Sequence, residues 1–121
     1  MIRIVAAVLV VACAGCSGPR AAGELMSQTP VHSETFAADY QRLASCSHTR
    51  LDQIDGVGLK KVDLPTESTV RIAMEAGTAR HWELTFVGQG RSRTRVEMTA
   101  LQTMTGAHSP AYVFQQVKAC A

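Results

Sequence analysis

HWELTFVGQGRSRTRVEMTAL, residues 81–101, decides how this chain folds. Along its first arm Trp82, Leu84 and Phe86 point one way, with His81, Glu83 and Thr85 the other. Val96, Met98 and Ala100 share one face of the second arm, and Arg95, Glu97 and Thr99 the opposite one. Period-two alternation on both sides of a glycine-containing loop, residues 88–93, predicts a β-hairpin. Folding it about Arg91 sets Phe86 beside Val96, Leu84 beside Met98 and Trp82 beside Ala100.

The preceding run extends the pattern. Val70, Ile72 and Met74 alternate, and a turn at Gly77-Thr78 lays them beside Phe86, Leu84 and Trp82. A slip of one residue would send every apolar side chain to the wrong face, so the match specifies register. A fourth run, residues 59–64, turns through Pro65-Thr66-Glu67-Ser68. The expected pairing puts Leu64 by Val70, Val62 by Ile72 and Asp63 by Arg71, with Glu83 beside Thr99. The result is a four-stranded antiparallel meander with one apolar and one polar face.

Two helices are expected to cover the apolar face. Over residues 33–47 the period becomes helical, with Phe36, Tyr40, Leu43, Ala44 and Ser47 on one stripe and Ser33 as N-cap. Residues 48–58 read as loop. Ser109-Pro110, an N-cap followed by proline at the first helical position, opens a terminal helix with Val113, Val117 and Cys120 on its stripe beside Phe114. The expected fold class is therefore α+β, in two layers: helix, four-stranded meander, C-terminal helix, both helices on one sheet face.

The chain has 121 residues, enough for one domain, and a formal charge of +2 that drops to about +1 without Arg3. That is no footprint for nucleic acid, which needs a concentrated basic face. Met1-Ile2-Arg3 is a short positive start, and Ile4 to Ala12 is continuously apolar but too short for a comfortable membrane span.

Small residues followed by cysteine close this leader. Ala14-Gly15-Cys16 resembles the lipobox of bacterial lipoproteins, although Cys13 stands where that pattern usually has leucine. The resemblance covers residues 1–16 and implies cleavage before Cys16, whose thiol would carry diacylglycerol and whose amine an acyl chain such as palmitate. Lipidation at Cys13, after Val10-Val11-Ala12, and ordinary secretion at Ala12-Cys13-Ala14 are the competing readings. The domain plan is a signal peptide at 1–15, a lipidated cysteine and tether at 16–32, and one α+β domain at 33–121. Ser17 is not the aspartate that marks inner-membrane retention in that family, which favours an outer-membrane address facing the periplasm or surface.

Cutting before Cys16 discards Cys13 and leaves Cys46 and Cys120 as one even pair. Either competing cut strands Cys16 as an odd thiol in an oxidising compartment. Both remaining cysteines fall near the C-terminal ends of the expected helices, so a Cys46–Cys120 disulfide should join them.

The residues offer little chemistry. His32, His48, His81 and His108 lack metal-site spacing, and Met74 and Met98 belong to the core face rather than to a copper site with Met104 and His108. Asp52, Asp55, Gly56 and Gly58 lack the ligand series of a calcium loop. Neither Gly56-x-Gly58 nor Gly88-x-Gly90 is a dinucleotide fingerprint, and no Gly-x-Ser-x-Gly elbow occurs. Arg91, Arg93 and Arg95 alternate along the hairpin rim and form a candidate anion or partner contact, to headgroups or an envelope protein, against the plainer reading of a solvated turn. The expectation is a small lipid-anchored envelope protein that binds or supports, with no enzyme activity, metal or cofactor. Its alternatives are an inhibitor of a cell-wall-attacking enzyme such as lysozyme and a carrier of a small apolar ligand.

Overall fold

A computed structural model describes residues 29–54, 58–76, 79–101 and 109–121. Its elements run β1 (His32–Phe36), α1 (Tyr40–Asp52), β2 (Leu59–Leu64), β3 (Thr69–Ala76), β4 (Ala79–Gly88), β5 (Thr94–Ala100) and α2 (Pro110–Lys118). The fold is α+β, with two helices and a five-stranded antiparallel sheet ordered β1-β5-β4-β3-β2.

The β3–β4–β5 registers follow the apolar alternation. Val70, Ile72 and Met74 lie opposite Phe86, Leu84 and Trp82, and these lie opposite Val96, Met98 and Ala100. All nine are buried, at 5% exposure or less. Leu43, Ala44 and Leu51 of α1 and Val113, Phe114 and Val117 of α2 join them in one cluster. Burying the hydrocarbon of this set is the main favourable term in folding. Trp82 Nε1 and Ser47 Oγ are buried in it without a hydrogen-bond partner.

Four expectations are corrected. Residues 32–36 form a fifth strand, so Phe36 enters the core from β1, with His32, Glu34 and Phe36 opposite Met98, Val96 and Thr94. The helix begins at Tyr40 instead, where Asp39, rather than Ser33, accepts a 3.0 Å bond from the Arg42 amide. A buried Thr94 hydroxyl donates to the Ala38 carbonyl at 2.6 Å and ties the β1–α1 link to the start of β5.

The same helix runs on to Asp52, through residues expected to be loop. Leu43, Ser47 and Leu51 recur every fourth residue and are all buried, which explains the extra turn. Cys46 is consequently in the middle of α1, while Cys120 lies just beyond α2. The second helix opens as expected, Ser109 Oγ accepting from the Tyr112 amide at 3.3 Å with Pro110 at the first position.

The last correction concerns β2. Leu64 lies opposite Thr69, Asp63 opposite Val70, Val62 opposite Arg71 and Lys61 opposite Ile72, one residue away from the expected pairing. The connection is tighter than expected because Pro65–Glu67 forms a 3-10 turn and Ser68 takes a left-handed φ of 49°. The Ser68 carbonyl then accepts from Gly88 N at 2.8 Å, fixing the corner against β4. This one-residue step moves Val62 and Leu64 off the core alternation and puts Lys61 and Asp63 on it. The turn at Gly77-Thr78 lies outside the described residues.

Candidate binding surface

The alternation that does not enter the core cluster is here called the outer face. Lys60, Val62 and Leu64 of β2, Arg71, Ala73 and Glu75 of β3, and Glu83 and Thr85 of β4 belong to it by register. Arg80 joins them through an irregularity. The β3–β4 register steps from Met74 opposite Trp82 to Glu75 opposite Arg80, which rotates Arg80 onto the side of Glu75 and Glu83.

Arg80 bridges two carboxylates there. Its Nη2 lies 2.7 Å from Glu75 Oε1 and its Nη1 2.7 Å from Glu83 Oε2, while Nε adds a 3.2 Å bond to Glu75. Arg71 Nε approaches Glu83 from the other side at 3.8 Å. The hydrogen bonds from Arg80 hold the Glu75 carboxyl below the ordinary carboxylate range, against an opposing effect of desolvation, with further lowering from the Arg80 and Lys60 charges. The same bond to Glu75 raises the Arg80 guanidinium. Between these charges and the edge strand is a shallow groove of about 160 Å³, lined by Lys60, Val62, Leu64, Arg71, Ala73, Arg80 and Glu83.

A second hollow, about 250 Å³, opens between β1 and α2, lined by His32, Ala111, Phe114, Gln115 and Lys118. His32 stacks on Phe114 with centroids 5.0 Å apart, Lys118 Nζ lies 5.8 Å from the same ring, and Lys118 pairs with Glu34 at 3.5 Å. The Lys118 charge there is engaged by Glu34 and by the Phe114 ring.

The three rim arginines separate. Arg91 and Arg93 are exposed in the turn, which is closed by Gln89 N donating to the Arg93 carbonyl at 2.8 Å and by Gly90 at φ 109°. Arg95 has left the turn for β5 and is held by Glu97 at 2.7 Å. Cys46 and Cys120 are joined, with S–S 2.04 Å and Cα–Cα 5.9 Å, closing a span of 74 residues. Arg50 reinforces that helix pairing by donating to Gln116 Oε1 at 3.0 and 3.2 Å.

The chain matches no protein-family model, no curated protein and no solved structure.

Cys16, Met104, His108 and Asp55-Gly56 lie outside the described residues. Among the described residues no group of three or more histidines, cysteines, aspartates or glutamates is placed to hold a metal, and no helix is long and apolar enough to cross a membrane. The Arg80–Glu75–Glu83 cluster is the feature that sequence reading missed. Its assembly depends on the register step within β4, and alternation alone places Arg80 on the wrong side.

Proposed function

We propose that this chain is a small lipid-anchored protein of the bacterial cell envelope, favouring the outer membrane, that works by binding or structural support rather than by catalysis. The observation that carries the reading is the Cys46–Cys120 disulfide. It suits an oxidising compartment, and it leaves Cys16 as the one cysteine for lipid once a leader containing Cys13 is removed. The tether then separates the lipid from a domain whose first strand starts at His32.

In this reading both helices lie over one sheet face, and the outer face is left for a partner. That face has arginines and glutamates already paired, around a groove floored by Ala73 and flanked by Val62 and Leu64. Such a surface favours an extended, mixed-polarity protein segment over a compact anion, because few charges remain to be neutralised. A carrier role draws less support. Trp82, Phe86, Leu43, Ile72 and Leu84 fill the space between helices and sheet at 2% exposure or less.

Metabolic labelling with a fatty-acid analogue tests the anchor. Label on the wild type and on Cys13→Ser, and none on Cys16→Ser, is the expected pattern. Label retained by Cys16→Ser would overturn the reading.

A further inference from the structure

Strand β2 ends the sheet, and its outer edge pairs with no other strand among the described residues. Edges of this kind are commonly guarded by charge, and Lys61, on the core alternation, has the form of such a guard. Asp63 shares that alternation two residues on, so a positive and a negative charge stand side by side on one face of one edge. The remaining side of β2 carries Lys60, Val62 and Leu64. Val62 is 37% exposed, and it and Tyr112 are the exposed large apolar side chains among the described residues.

We propose that this edge is self-complementary and pairs with the β2 edge of a second copy, antiparallel, with Val62 on the two-fold axis. A symmetric antiparallel pair requires facing residues to lie on the same side of the pleat, so the axis must pass through a residue and not between two. Four registers within the strand give appreciable overlap. An axis at Lys60 sets Lys60 against itself, one at Lys61 sets Lys61 against itself, and one at Asp63 sets Asp63 against itself. Like charges directly opposite are destabilising.

An axis at Val62 reverses every one of these conflicts. Lys61 faces Asp63 of the second copy, and the symmetry makes that pair twice. Val62 faces Val62, and the stem of each Lys60 lies along the facing Leu64. The two outer-face grooves, each bounded by Val62 and Leu64, then meet in one continuous surface. The guard against foreign strands becomes a key for its own. At the other edge of the sheet, Glu34 of β1 is already tied to Lys118. A single short edge buries little area, so the association is weak and suits copies held at high local concentration.

The test is disulfide trapping in cells that make the full chain, oxidised with copper phenanthroline and compared on non-reducing gels. Val62→Cys should yield a covalent dimer about tenfold more abundant than Thr66→Cys, an exposed position off the axis, because pairing raises the effective concentration of the facing thiols. Adding Lys61→Asp or Asp63→Lys alone should abolish the Val62→Cys product, and adding both should restore it. Retention of the Cys46–Cys120 bond in each variant reports that the fold is intact. Equal trapping at Val62→Cys and Thr66→Cys overturns the proposal. So do single reversals without effect, or a double reversal that fails to restore the dimer. Every variant keeps the same Cys16, so the ratios between positions and between charge reversals are compared at one local concentration.

Discussion

Tyr40 lies so close over Gly88 that a Cβ on the glycine would come within 2.7 Å of the tyrosine Cδ1. The first residue of α1 thus seats on the last residue of β4, and the missing side chain is what lets helix and sheet meet there. Gly88→Ala should cost about 1–3 kcal/mol through overpacking. Gly88→Ala combined with Tyr40→Ala should cost less than the sum of the two single changes. Urea midpoints of the four proteins measure this directly.

The disulfide is the second determinant of stability. Closing 74 residues between Cys46 and Cys120 is worth on the order of 4 kcal/mol in the chain-entropy account. Cys46→Ala/Cys120→Ala should lower the denaturation midpoint by a matching amount. Reductant should lower the wild-type midpoint toward that of the variant and leave the variant unmoved.

These two contacts also show what was legible beforehand. Cysteine parity and helical stripes pointed to the bond, and alternation fixed β3, β4 and β5, because each of those signals is local and repeated. The first strand was missed because HSETF has a single large apolar residue, and its partners lie some sixty residues away on β5. Phe36 at four residues from Tyr40 imitated a helical stripe. The β2 register turned on the left-handed φ of Ser68, which a non-glycine residue does not advertise. Arg80 was invisible as a bridging residue for a similar reason, since one register step decides its face.

Acid should loosen the outer face. The Glu75 carboxyl is held low by Arg80, so its contribution to stability is present above the ordinary carboxylate range and is lost as pH falls through its own lowered value. Glu75→Gln should therefore be less stable than wild type at neutral pH, and the gap should close well below about pH 4. Because the pair is partly exposed, the gap should be small and should shrink with added salt. Thermal melts across the acid range in low and high salt check both trends.

The rim arginines should not behave as a set. Arg91 and Arg93 are exposed in the turn, whereas Arg95 is occupied by Glu97. If the rim meets anionic headgroups, Arg91→Ala/Arg93→Ala should weaken sedimentation with anionic vesicles, and Arg95→Ala should change it little. Equal binding by all three proteins would leave the arginines a role in solubility alone.

Intact mass spectrometry of the protein taken from its own membrane tests the central claim most directly. The account predicts a chain beginning at Cys16, heavier by a diacylglycerol and an acyl group, and lighter by the two hydrogens lost in joining Cys46 to Cys120. An unmodified chain that still carries its leader, with both thiols free, would contradict it.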